Sequence, residues 1–502
     1  MEEPIRESGP HLAGILAAVL SGDGPLYRQL SDGLKHAVDR GEIPLGTVLP
    51  PERVLARSLS VSRATVVAAY DRLKAEGWLE SRQGSGTWVR RPEGEDRGGV
   101  DAVATARLFL SDDRADQRSG PGEPPAAADE DVVELSVAAV TGSPRVIELL
   151  SSLSASDVSS LVAHHGYVPH GLRALRKIVA ARFAVAGLPS TEDQVLVTTG
   201  AHQAISLVAR QTLQRGDTVL VESPTFPGAL DVFRRFGARM VPLPVDEHGV
   251  RTDTLPDLIA RTEPKLIYLS PDFHNPTGAV LPEDRRRAVA DLADRSNIVV
   301  IEDRAMGDVH LDGPPLPPPI AAFSNGEGAV HTLGSTAKLF WAGLRVGWLR
   351  SPTSWSVRML ATKTVADLGT PLLSQLLAVR LLEHAEEVLA ERRAQLIPQR
   401  DLLCDLLADH LPTWRWRRPE GGLSVWVTLP SGNAEEFAEL ALRHGVSVVP
   451  GPALSVDEGN RRGLRLVFSR PEPVLREGVR RLAAAWHTYE PVTSRAPARL
   501  LV

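Results

Sequence analysis

The chain of 502 residues contains one cysteine, Cys404, so no disulfide can form within it and a reducing compartment is expected. Aromatic residues are only 5% of the chain, and no apolar run approaches the length needed to cross a bilayer. The run from Leu12 to Leu20 is preceded by acids and lacks a clear cleavage site. It reads as a short helix in an N-terminal tail, residues 1–24, rather than as a signal peptide. Internal repeats are absent too, which argues against a solenoid. A formal charge of -6 argues against a chain coated in nucleic acid, but leaves room for one basic module. What is present is ordinary for a globular protein: 43% apolar and 24% charged residues, in a length that suggests more than one domain.

Residues 25–91 read as one compact unit. Leu26, Leu30, Leu34 and Val38 recur every fourth residue, an amphipathic helix stopped at Gly41. Pro50-Pro51 starts a second helix over Glu52 to Ser58, and Ser62 caps a third over Arg63 to Glu76, ended by Gly77. "WLESRQGSGTWV" then predicts two strands around Gly84-Ser85-Gly86. Three helices and a hairpin are the order of a winged helix-turn-helix, whose third helix lays its first turn against base edges. Arg63 suits a guanine and Ser62 or Thr65 a phosphate, with Arg53 and Arg57 placed for the backbone. The unit holds eleven Lys/Arg against seven Asp/Glu, net positive in a net negative chain.

Residues 92–131 hold four arginines and eleven acids with Pro and Gly clusters, and read as an acidic flexible linker. At roughly forty residues, it would span about 35 Å. From residue 132 to 490 strands and helices alternate, and residues 491–502 form a C-terminal tail. Val195–Val197, Thr218–Val221, Leu266–Leu269, Ile298–Ile301 and Val330–Leu333 are short, apolar and β-branched, which predicts an α/β domain with a mostly parallel sheet.

The N-terminal unit resembles the DNA-binding domain of the GntR family of bacterial regulators, through "LPPERVLA", "VSRATV" and the wing "GSGT". The resemblance implies operator contacts from Arg53, Ser62, Arg63, Thr65 and Gly86.

In "GSTAKLFWAGLRVGW", Lys338 stands among apolar residues. A desolvated lysine loses its proton easily and condenses with a carbonyl to a Schiff base, the aldehyde of pyridoxal 5'-phosphate being the best-known partner. That cofactor needs phosphate donors, a carboxylate for its ring nitrogen, a donor for its phenolic oxygen and a lid for its ring. Ala201 and His202 open a helix after Gly200, and Ser335 and Arg345 flank the lysine, which suits the phosphate. Asp303 ends a buried strand and is chosen over Glu302 for the ring nitrogen. Asn275 of "HNPTG" suits the phenolic oxygen and Phe226 the ring face.

The domain resembles the fold-type I aminotransferases in "YVPHGL", "TTGAHQA", "PTFPG", "HNPTG", "EDRAMGD", "GSTAK" with "GLRVGW", and "GLRLVFS". By that resemblance Tyr167 reaches the cofactor phosphate of a partner subunit and Arg465 grips an amino-acid carboxylate. Two departures stand out. Ala305 and Met306 occupy positions where the family has a tyrosine that donates to the phenolic oxygen, and "FWAG" replaces a segment that ordinarily carries proline.

A GntR-type reader followed by an aminotransferase-like domain resembles the MocR subfamily of regulators. The resemblance implies a homodimer in the bacterial cytoplasm, bound to double-stranded operator DNA and regulated through its aminotransferase-like domain by a small amine, an amino acid or pyridoxal phosphate itself, with no membrane or metal partner. An active aminotransferase with an accessory DNA-binding domain is the alternative, weakened by the missing tyrosine.

Overall fold

A computed structural model describes residues 9–16, 25–39, 43, 47–82, 86–90, 132–325, 329–457 and 459–489. The expected linker, C-terminal tail, wing tip Gly84-Ser85 and helix stop Gly41 lie outside the described residues. The chain divides into two compact units, Met1–Ala102 and Val103–Val502.

In the first unit, α1 (Gly9–Leu16) and α2 (Leu26–Asp39) precede β1 (Val48–Leu49), α3 (Glu52–Ser58), α4 (Arg63–Ala75), β2 (Leu79–Arg82) and β3 (Gly86–Val89). The sequence predicted α3, α4 and the hairpin. It did not predict β1, two residues that pair antiparallel with β3 to give a three-stranded sheet, β1-β3-β2. Nor is α1 a detached tail helix: Leu12 and Leu16 are buried in one core with Leu30, Leu34, Leu55 and Val66. Leu26, at the open start of α2, is 44% exposed and outside that core. Lys35 pairs with Glu76 and Arg72 with Asp32, joining α2 to the end of α4.

The second unit is built on an eight-stranded sheet. Its strands are β5 (Val195–Thr198), β6 (Thr218–Ser223), β7 (Arg239–Asp246), β8 (Gly249–Val250), β9 (Leu266–Leu269), β10 (Val299–Asp303), β11 (Val330–Ser335) and β12 (Gly347–Arg350), in the order β5-β12-β11-β10-β9-β6-β7-β8. Strands β7, β6, β9, β10 and β11 pair in parallel, while β12 runs antiparallel between β11 and β5. The five predicted strands are all present, because residues buried on both faces read as continuous apolar runs.

Helices cover both faces. They are α5 (Pro144–Ser151), α7 (Arg173–Val185), α8 (Gly200–Thr212), α9 (Pro227–Arg235), α10 (Leu255–Thr262), α11 (Glu283–Ser296), α12 (Thr353–Asp367) and α13 (Leu372–Glu383), while α6 (Ala155–Val162) buries no residue. One core lies between the sheet and α7, α11 and α13, and another between the sheet and α8, α9 and α12.

The long α14 (Ala385–His410) leads to a four-stranded sheet of β13 (Arg415–Trp416), β14 (Ser424–Thr428), β16 (Val449–Pro450) and β17 (Gly463–Val467), packed with α15 (Ala434–Arg443) and α16 (Glu472–Thr488). A separate ladder pairs β4 (Val133–Glu134) with β15 (Val446–Ser447). Cys404, on α14, is half-buried, and burial pushes its thiol pKa up to about 11.

Candidate functional site

Alternation along β10 separates its two terminal acids. Glu302 points into the core, where it accepts from the Ile320 amide at 2.7 Å and the Thr332 hydroxyl at 2.9 Å, so it serves the fold. Asp303 accepts from the Tyr268 hydroxyl at 2.7 Å and the Ala305 amide at 2.9 Å. Burial raises the Asp303 pKa, while those two donors and the Lys338 ammonium pull it back. Tyr268 is fully buried in β9, and the sequence did not single it out. Ala305 therefore contributes its backbone, and Met306 is core.

Lys338 follows β11. Its ammonium donates to the Ala138 carbonyl at 2.8 Å, and burial lowers its pKa to about 8, with Arg465 pushing the same way and Asp303 opposing. Arg465 rises from β17. It donates to Asn275 Oδ1 at 3.1 Å and to the Ser136 carbonyl at 2.5 Å, and its buried Nε has no hydrogen-bond partner. Burial pushes its pKa down to about 10, partly offset by Glu134. Lys338, Asp303, Asn275 and Arg465, predicted from four separate motifs, are thus linked by contact or by charge.

The N-terminus of α8 lies beside Arg345, whose Nη2 donates to the Thr199 carbonyl at 3.1 Å. Two glycines permit this approach. A Cβ on Gly200 (φ +76) would stand 2.9 Å from Arg345 Nη2, and one on Gly347 would stand 2.9 Å from the Ala201 amide nitrogen. A helix N-terminus with a guanidinium beside it suits an anion. His202 sits in the same turn, and burial lowers its pKa against the pull of Asp231. Phe226 immediately precedes α9 and lies where a Cβ on Gly228 would be 2.5 Å from its ring. Ser335 differs from expectation in one respect: its hydroxyl already contacts the Val346 carbonyl at 3.3 Å and the Ala337 amide at 3.1 Å, so it also shapes the lysine loop. Tyr167 is 62% exposed, beside His165.

Sequence reasoning missed a buried network behind the cradle. Lys363 on α12 is fully buried and donates to both oxygens of Asp367 at 2.8 Å, to Gln203 at 3.2 Å and to Thr370 at 3.1 Å. Gln203 in turn donates to Asp367 at 2.7 Å and accepts from the Thr199 amide at 2.8 Å, which fixes the residue that precedes the helix. A lysine four residues before an aspartate was the available signal, but that spacing is also common on solvated helix faces.

In the first unit Arg53, Arg57 and Arg63 are exposed. Ser62 caps α4 by accepting from the Thr65 amide at 3.1 Å, and the two hydroxyls lie 2.8 Å apart. Gly86 (φ +101) has a structural duty as well, since a Cβ there would stand 2.9 Å from Val48 Cγ1 and push β3 off β1. Among the described residues no group of His, Cys, Asp and Glu could hold a metal ion, and no helix is long and apolar enough to cross a membrane.

Residues 133–482 match the aminotransferase class I and II family, and residues 26–89 match the gntR family of bacterial regulatory proteins. The uncharacterized HTH-type transcriptional regulator YisV of Bacillus subtilis is 31% identical over 89% of this chain and 93% of its own length. The probable rhizopine catabolism regulatory protein MocR of Rhizobium meliloti is 30% identical over 66% of each chain. Among solved structures, the α-aminoadipate aminotransferase LysN of Thermus thermophilus, complexed with N-(5'-phosphopyridoxyl)-L-leucine, is 27% identical. It superposes with a TM-score of 0.66 over 78% of this chain and 97% of LysN.

Proposed function

This chain belongs to the aminotransferase class I and II family and, through its GntR-family head, to the MocR-type regulators, and we propose that it controls transcription by sensing an amine or amino acid at Lys338 through pyridoxal phosphate. The observation that carries this reading is the convergence of a desolvated amine, Lys338, with a buried carboxylate, Asp303, and a buried guanidinium, Arg465.

The cofactor phosphate would be held by the first amides of α8 at Ala201 and His202, with Arg345 and Ser335, and by Tyr167 of a second copy in a homodimer. Asp303 would face the ring nitrogen, Asn275 the phenolic oxygen and Phe226 the ring. When bound, pyridoxal phosphate supplies an aldehyde that captures amines and a ring that withdraws electrons from them. Lys338, with a pKa near 8, holds a reactive share of neutral amine close to physiological pH. Asp303, kept in place by Tyr268, offers a negative charge or a shared proton at the end of β10. Arg465 has one donor, Nε, without a partner, and its charge suits a carboxylate. The exposed Arg53, Arg63 and the first turn of α4 face operator DNA, with Ser62, Thr65 and Gly86 at the backbone, in the bacterial cytoplasm.

Visible absorbance of the full chain incubated with pyridoxal phosphate, beside Lys338→Ala, tests the site. The wild type should show a lysine-bound band that the variant lacks. An equal band in the variant would remove Lys338 from the reading, and no band in either would remove the cofactor. Operator binding with and without amines tests the regulatory half.

A further inference from the structure

From the end of β4, residues 134–141 form a strap, irregular after Glu134, whose backbone carbonyls are held mainly by side-chain donors. Irregular buried backbone needs a partner for each carbonyl. Arg470 donates to the carbonyls of Glu134 at 3.0 Å, Val137 at 2.9 Å and Ala139 at 3.3 Å. Ser469 adds a bond to Ala139 at 2.9 Å, and Arg392 holds Thr141 at 2.7 Å while also holding Leu339 and Phe340 of the lysine loop. The two remaining donors are Arg465 on Ser136 and Lys338 on Ala138. These are the groups assigned above to the effector's carboxylate and to the cofactor. The strap is also the segment through which the chain continues from the DNA-binding head, by way of residues 91–131, into the second unit.

We propose that the strap reports occupancy of the Lys338 site to the head: bound cofactor would draw the Lys338 nitrogen from the Ala138 carbonyl, and the carboxylate of an effector would draw Arg465 from the Ser136 carbonyl. An effector carboxylate and the strap compete for the same donor, Arg465. Arg470, Ser469 and Arg392 keep the strap attached, so its hold loosens without the segment leaving. The inference rests on the proposed sensing role, and it specifies an acid-bearing amine as the stronger signal, because only such a ligand draws Arg465 from the strap.

The test is hydrogen–deuterium exchange of the full chain with pyridoxal phosphate, followed by L-leucine, L-glutamate or butylamine as probes, with the visible spectrum recorded in parallel. Exchange at the Leu135, Ser136 and Ala139 amides should rise about tenfold with an amino acid and less with butylamine. In Arg470→Ala the strap should exchange fast before any ligand is added, keep the visible band, and leave operator affinity insensitive to the probes. A spectrum that responds to the amino acids while strap exchange stays constant overturns the strap and leaves the sensing role intact. A spectrum that responds to no probe removes the sensing role, and the strap's function with it.

Discussion

At the scale of single residues, the site depends on how few counter-charges face its cations. Lys338 and Arg465 repel each other, and Asp303 is the acid that offsets Lys338. Because the Lys338 pKa is lowered to about 8, its neutral form grows about tenfold per pH unit below that value and levels off above it. The rate of pyridoxal phosphate capture, followed by absorbance from pH 6 to 9, should trace that curve; a flat profile would show that the amine is not the titrating group. Tyr268→Phe removes one of two donors to Asp303, and the carboxyl pKa should rise further. Cofactor affinity, measured by equilibrium titration, should fall on the order of tenfold, the effect of losing a hydrogen bond to a charged group. The residues legible in the sequence were those at strand ends and in turns, such as Asp303, Asn275 and Lys338. Tyr268 was not, because "LIYL" reads as core from end to end and only its neighbours in space show that its hydroxyl has a task.

At the scale of elements, helix ends position both candidate sites. Ser62→Ala removes the α4 cap and should cost about 1 kcal/mol locally, seen as several-fold faster exchange of the Thr65 amide in the full chain. Lys363→Ala strips Asp367 of its cation beneath the N-terminus of α8 and should cost about 2–3 kcal/mol in denaturant unfolding of the second unit, below the figure for a fully buried pair because Asp367 is about a quarter exposed. The parallel strands were readable because burial on both faces leaves an uninterrupted β-branched run. β12 was not, because "GWLR" carries a glycine and an arginine that make sense only once its antiparallel neighbours are known. β1 escaped notice for a related reason, since two residues show no period. The burial of α1 was hidden because Leu12 and Leu16 match an isolated amphipathic helix as well as a packed one.

At the scale of the whole molecule, charge is divided unevenly along the chain. Residues 25–91 carry eleven bases and seven acids, while the chain as a whole is at -6. Operator affinity should therefore fall steeply with salt. Arg53→Ala should flatten the log–log slope by about 0.9 if its contact is a phosphate. Arg63→Ala, by contrast, should cost about 1–3 kcal/mol on the cognate sequence and narrow the gap to unrelated DNA, measured by competition binding.

The lone thiol of Cys404 bears on how such movements can be watched. Shielded on α14 and reluctant to ionise, it should react slowly with maleimides at neutral pH. A fluorophore pair placed at engineered cysteines, one on the reading head and one on the catalytic-type body, can then be attached with little background, without first replacing the natural residue.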